Sequence, residues 1–331
     1  MSDEAPRAAG ARKLPLLRGY LSGRPLWCAW QLTRRCDSFC QFCEHRLEGG
    51  DPDPDLAECL DVVAALDRAG SLVVSLTGGD PLLRADLPEI VAALARRHFP
   101  LLTTHGFLLS RERARGLWRA GLEGASVMLH HADPARHDAA AGLPGAHARS
   151  LQALQALAAE RTRATQQVNV KARLDPTDVD ALEALLDLAG RLGVTVTVEP
   201  GFPLPQSSEG GADLGARLLA LKRRHPHLRS SAWFLGRLPQ ALREGVPGCA
   251  AGRAFLNVDH RGRVSRCIEF TRPEDRAGDL RAEGLDAVLP RLRAVHAQND
   301  CRACFYSSRG EVEALYTVRG LMGGLRALVR A

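Results

Sequence analysis

Apolar positions along the chain fall into short runs that alternate between two periods. Residues 26–33 (LWCAWQLT) read as a buried strand, and 72–77 (LVVSLT), 100–104, 125–130, 167–174 (QVNVKARL) and 194–199 (VTVTVE) repeat that reading. Between these runs apolar residues recur at steps of three and four. Leu56, Cys59, Val63 and Leu66 place a helix that Gly70 ends; Leu87, Ile90, Val91 and Leu94 place another; 110–120, 146–160 and 178–192 read as three more. Strand followed by helix, repeated about six times, predicts parallel strands joined by crossover helices, and so an α/β fold.

The rhythm stops at 200–211, where Pro, Gly and Ser concentrate as in a linker. Helical patterns resume at 213–224 and 235–244, and 254–259 with 263–267 flank His260, Arg261 and Gly262 as a short hairpin would. The expected division is an N-terminal segment 1–24, a core 25–205, a helical linker region 206–248, a small cysteine-bearing domain 249–310 and a helical tail 311–331. Arg319, Arg326 and Arg330 share one side of that tail as a solvated basic face, although Gly320, Gly323 and Gly324 weaken a helix there.

Composition narrows the class without naming a function. The 331 residues are 45% apolar and 25% charged, with a formal net charge of +6, which is the balance of a globular protein. The arginines are scattered, which argues against a nucleic-acid partner. No run approaches the roughly 18 apolar residues of a membrane helix, and the opening MSDEAPRAAGARK has no apolar signal region. A cytoplasmic enzyme with no membrane partner is the expectation. Nine cysteines are the informative count: in a chain without a secretory signal, clustered cysteines point to metal ligation before disulfides.

Seven of them form two groups. Cys36, Cys40 and Cys43 write CxxxCxxC directly after the first strand. Three thiolates rather than four suggest a metal centre with one open position, where a small molecule binds; zinc with a distant fourth ligand, His45 or Cys59, is the competing reading. Cys249, Cys267, Cys301 and Cys304 end in a CxxC. Four soft ligands suit a closed tetrahedral site, and by spacing alone zinc competes there too.

The stretch LTRRCDSFCQFC resembles the signature loop of radical S-adenosylmethionine (SAM) enzymes. The resemblance implies a partial (β/α)6 TIM-like barrel whose three cysteines hold a 4Fe-4S cluster, with the fourth iron chelating SAM and Phe42 packing on the adenine. After the second strand, Gly78, Gly79, Asp80 and Pro81 resemble the family's GGEP motif, implying that this backbone and the Asp80 carboxylate meet the SAM amino group. The two glycines also free the backbone to approach a ligand. Thr103, Thr104, His105 and Gly106 look like its TNG turn, with Thr104 toward the cofactor. Where many relatives read SxDG, this chain has Met128, Leu129, His130 and His131, so His130 is the candidate for the polar role. Lys171 and Arg173 alternate to one face of the fifth strand, and either could meet the SAM carboxylate.

The second cysteine group is similar to the twitch domain, a shortened SPASM domain that carries an auxiliary 4Fe-4S cluster. With four ligands present, that cluster would be closed to substrate and serve electron transfer or structure, in a dehydrogenation, an epimerisation or a bond-forming reaction. The resemblance covers about residues 25–310 and implies an external electron donor such as flavodoxin or ferredoxin. Cys59 reads as core. Cys28, within the first strand, reads as packing first and as a hydrogen-atom donor to a substrate radical second. Fewer than thirty residues precede the first strand, so a leader-peptide-binding domain is not expected there, and a small-molecule substrate is expected ahead of a peptide. An iron–sulfur electron carrier and a zinc-stabilised binding protein are the non-enzymatic alternatives.

Overall fold

The computed structural model describes residues 9–40, 43, 52–68, 70, 72–201, 204, 213–270 and 272–317. Its strands are β1 (Trp27–Thr33), β2 (Val73–Gly78), β3 (Phe99–Thr104), β4 (Gly124–Met128), β5 (Gln167–Arg173), β6 (Thr195–Glu199), β7 (Phe255–Val258), β8 (Arg263–Ser265) and β9 (Arg276–Asp279). The helices are α1 (Ala9–Leu21), α2 (Leu56–Asp67), α3 (Leu87–Ala95), α4 (Arg111–Arg119), α5 (Pro134–Ala141), α6 (Ala146–Ala159), α7 (Val179–Arg191), α8 (Leu214–Arg224), α9 (Ala232–Glu244), α10 (Leu280–Glu283), α11 (Leu285–Ala297) and α12 (Ser307–Leu315).

All nine strands lie in one sheet of order β6-β5-β4-β3-β2-β1-β7-β8-β9. The first six are parallel neighbours in chain order, as the alternation predicts. Each crossover helix lays its apolar stripe on the outer face; α3, for example, buries Leu87, Ile90, Val91 and Leu94. The opposite face is the concave interior of an open barrel. Side chains alternate strictly along the strands, so Leu102 and Thr104 of β3 turn outward while Leu101 and Thr103 turn inward.

The hairpin at 255–265 does more than cap a separate unit. Its first strand, β7, pairs in parallel with β1, Cys28 opposite Leu256, and β8 and β9 continue the sheet antiparallel. The segment after the barrel is therefore welded to it through the backbone. At the other edge, the Val196 amide donates to His227 O at 3.0 Å and the Arg229 amide to Val196 O at 2.7 Å, so the chain leading into α9 covers β6.

Four helices escape the sequence reading, the four-residue α10 among them. The N-terminal segment contains α1, whose residues carry no clear apolar stripe. Helix α5 starts from an Asp133 cap and a Pro at its first turn but has only Ala, His, Arg and Asp to follow, so periodicity is silent. Helix α11 buries Leu285, Val288, Leu289 and Leu292, but Pro290 interrupts the pattern and the sequence reading passes over it. The predicted tail helix is seen as α12 up to Leu315, and Arg319, Arg326 and Arg330 lie outside the described residues.

Candidate functional site at the mouth of the barrel

The C-terminal ends of the six parallel strands deliver the candidate residues to one rim, where open α/β sheets and barrels place their sites. They surround a cavity of about 1140 Å³. Ala29, Ser75, Thr103, Met128, Lys171 and Glu199 enter it from β1 to β6 in turn. Cys43 and His130 line it at the strand ends, and Ile268, Glu269 and Tyr306 close it from the C-terminal segment.

Cys36, Cys40 and Cys43 occupy the loop after β1, Cys43 exposed and the other two half-buried. Burial pushes the Cys36 thiol up to about 12, with the Asp80, Asp37 and Cys40 charges adding to it, and burial likewise raises Cys40. The Cys40 Sγ lies 3.1 Å from Ser38 Oγ and 3.9 Å from His105 Nε2. A metal bound by these thiols would displace their protons. Phe42 and His45 lie outside the described residues.

What holds this loop is the Gly-Gly-Asp segment, in a way the motif alone does not reveal. The Gly79 amide donates to Thr33 O and the Asp80 amide to Arg35 O, both at 2.8 Å. Gly78 has φ +123°, and a Cβ on Gly79 would stand 1.9 Å from the Arg35 carbonyl oxygen. The glycines are thus required by the close approach of the cysteine loop's own backbone. Asp80 is engaged within the same turn. Its carboxylate is 1% exposed and accepts from Thr104 Oγ1 at 2.7 Å, the His105 amide at 2.8 Å and the Leu82 amide at 2.9 Å. Burial raises its pKa while these donors pull it down. The carboxylate ties the turns after β2 and β3 together instead of facing the cavity.

Thr104 is corrected by the same alternation. Its hydroxyl is buried on Asp80, and Thr103 is the threonine that lines the cavity. Cys28 is the clearest revision. Trp27 and Ala29 of β1 line the cavity, while Cys28 is fully buried in the apolar core on the opposite face. A thiol there cannot reach a substrate radical, and the hydrogen-donor reading is withdrawn. Cys59 is core too, its thiol pushed up to about 11 by burial, which removes it as a fourth ligand to the first group.

Lys171 and Arg173 both line the cavity. The Lys171 ammonium pairs with Glu199 Oε1 at 3.0 Å. Glu199, which the sequence reading missed, also accepts from the Ser307 amide at 3.0 Å and from the Ser307 hydroxyl, stapling the start of α12 to the barrel rim. His130 is 3% exposed; its amide donates to His137 Nδ1 at 3.0 Å and the two rings stack at 5.4 Å. Burial, then the neighbouring His137, holds it well below the ordinary imidazole range, so it faces the cavity neutral.

Cys249, Cys267, Cys301 and Cys304, far apart in sequence, wall a second cavity of about 280 Å³. Asn299 orders two of them: it donates to Cys249 O at 3.0 Å and accepts from the Cys301 amide at 3.3 Å. Burial pushes Cys304 up to about 12 and Cys267 higher still. Among the described residues no three His, Cys, Asp or Glu side chains converge tightly enough to grip a single ion. A four-iron cubane asks for less convergence, since each thiolate binds its own iron, and four thiols around one pocket fit that donor set. Glu269 is common to both cavities, its amide 3.3 Å from Cys267 Sγ and its carboxylate accepting from the Tyr306 hydroxyl at 2.5 Å.

An open parallel barrel whose rim carries a three-cysteine loop defines a class, and comparison with known proteins agrees. Residues 30–170 match the family model of the radical SAM superfamily. Enzymes of this superfamily use a 4Fe-4S cluster and S-adenosylmethionine. Among curated proteins it is similar to PqqA peptide cyclase of Streptomyces rochei, 32% identical over 52% of this chain and 46% of that one. It is also similar to mycofactocin maturase MftC of Mycobacterium tuberculosis, 25% identical over 90% of this chain and 80% of that one. The first of these matches spans less than half of the relative's length. Among solved structures, native anSMEcpe with bound AdoMet superposes with a TM-score of 0.61 at 12% identity, covering 92% of this chain and 100% of that one, a likeness of fold. No described helix is long and apolar enough to cross a membrane.

Proposed function

We propose that this chain reductively cleaves S-adenosylmethionine at the barrel mouth and uses the resulting 5′-deoxyadenosyl radical to abstract a hydrogen atom from a substrate. The observation that carries the reading is the gathering of inward side chains from all six strands, with Cys43, around one cavity of about 1140 Å³. Cys36, Cys40 and Cys43 would hold the 4Fe-4S cluster, which supplies the electron for cleavage. Lys171 and Arg173 would bind the SAM carboxylate. His130, neutral at pH 7, is suited to a hydrogen bond with a hydroxyl. Gly78, Gly79, Asp80 and Thr104 would act by holding the cluster loop in place.

The remaining division is part of the same reading: 25–205 as the radical SAM core, 206–248 as a helical connection, and 249–310 as an auxiliary domain in which Cys249, Cys267, Cys301 and Cys304 hold a second 4Fe-4S cluster. Glu269 lines both the four-cysteine cavity and the reaction cavity, which supports a role in redox coupling to substrate. The compartment that suits two such clusters is the reducing cytoplasm.

The substrate expectation shifts. The relatives are by their names a peptide cyclase and a maturase, which moves a peptide side chain ahead of a free small molecule. The test is anaerobic incubation of reconstituted protein with SAM and dithionite, followed by 5′-deoxyadenosine and methionine. Protein that binds iron and sulfide in full but releases neither product would refute the enzymatic reading and favour an electron carrier.

A further inference from the structure

A third concavity, of about 760 Å³, lies between α9, the loop before β7 and α12, away from the barrel mouth. Its rim carries two guanidinium groups, each resting on an aromatic face. Arg237 sits 4.3 Å above the Trp233 ring centroid and Arg253 5.4 Å above that of Tyr316. Among the described residues no carboxylate pairs with either arginine. The acid of the cleft, Glu313, is already engaged, accepting from Arg309 Nε at 2.9 Å and the Ala250 amide at 3.0 Å. Both rim charges therefore face solvent uncompensated, in a chain whose net charge is +6.

The position of the cleft gives those charges a use. Gly248 and Ala250 line it, while Cys249 between them lines the four-cysteine cavity on the other side of the same strand of backbone. Buried Arg309 completes the partition, donating to Cys304 O at 2.6 Å and to Val246 O at 2.8 Å. The cleft is thus the outer wall of the second cysteine group, one peptide thick at Cys249. A surface patch of unpaired positive charge at such a place recruits an oppositely charged partner by steering as well as by contact.

We infer that the Trp233–Arg237 and Arg253–Tyr316 cleft is the docking surface for an acidic one-electron carrier protein, which exchanges electrons with the second cysteine group across Cys249. This rests on the auxiliary-cluster reading above. One electron crosses per encounter: the carrier is oxidised by one unit as the protein-bound site is reduced, or the reverse.

The test titrates the iron-loaded protein with an acidic ferredoxin and with flavodoxin at rising salt, reading binding directly by calorimetry. The double charge reversal R237E/R253E should weaken binding roughly tenfold or more at low ionic strength and flatten its salt dependence. The conservative R237K/R253K pair should keep most of the binding. Dithionite-driven SAM cleavage and circular dichroism should be unchanged in both variants, because neither residue touches the barrel mouth. Equal binding by wild type and R237E/R253E would overturn the inference. So would loss of binding on R149E instead, since Arg149 lies over Phe107 beside the first cysteine loop. Iron content separates the two ideas: about four irons per chain with charge-dependent docking intact would sink the auxiliary cluster and leave the acidic-partner surface standing.

Discussion

The two cysteine groups are built on opposite plans. The first hangs on a loop with Cys43 exposed and opens onto the barrel-mouth cavity; what fixes it is backbone, the hydrogen bonds from Gly79 and Asp80 to Thr33 and Arg35. The second is drawn from three places in the chain into a small cavity, with Cys249 and Cys304 buried and Asn299 and Arg309 bonded between the segments. A site that must admit a ligand keeps one side free and is braced from behind. A site that only passes electrons can be closed on all sides by its own chain.

The sharpest way to break that contrast is to remove one thiol from each group. Cys40→Ala should abolish 5′-deoxyadenosine formation, a fall of roughly a thousandfold or more, because the cluster supplies chemistry that no side chain replaces. Replacing Cys267 and Cys304 together by Ala should lower iron from about eight to about four per chain and leave SAM cleavage within a few-fold while substrate conversion is lost. Circular dichroism of the same samples guards against unfolding, since metal sites also contribute folding energy. A folded double variant that still converts substrate would make the second group structural and bring a redox-neutral reaction forward.

The backbone brace of the first site predicts where stability is stored. Gly79→Ala must displace the Arg35 carbonyl and should cost about 3 kcal/mol or more, with loss of iron from the first group only; urea denaturation and iron analysis read both. Next in size is acid sensitivity behind the rim. His137 is fully buried, and burial, then His147, lowers its pKa to about 4. Its folded value lies below the unfolded one near 6.5, so the unfolded chain binds the proton first. Stability is complete above about pH 6.5 and falls as pH drops toward 4, by on the order of 3 kcal/mol for this residue. His137→Gln should flatten that slope between pH 7 and 5. The smallest effect separates two neighbours: Thr104→Val should cost about 1–2 kcal/mol by stripping a donor from buried Asp80, whereas Thr103→Val should leave the urea midpoint in place and change SAM affinity instead.

Much of this could be read before any coordinates existed. The strand runs 72–77, 100–104 and 194–199 and the helix at 56–66 fell within a residue or two of β2, β3, β6 and α2, because each is bounded by Gly, Pro or a capping acid and carries one unambiguous period. The cysteine spacings alone divided seven thiols into a group of three and a group of four. Periodicity failed where Ala, His and Arg replace large apolar residues, as in α5, or where Pro290 interrupts α11.

What sequence could not supply was direction. Thr103 and Thr104, or Cys28 and Ala29, are adjacent letters, and only the pairing of the strands decides which of each faces the cavity and which the core. In the same way GGDP does not disclose that Arg35 comes within reach of Gly79; only the fold does. The sequence by itself determined which chemistry the chain carries, through the kinds of residues and their local spacing. Tertiary structure decided which atoms are available to it, because a side-chain period of two reverses a residue's surroundings on a single step, and because groups as distant in sequence as Cys249 and Cys304, or Lys171 and Ser307 on either side of Glu199, meet only once the sheet has closed around them.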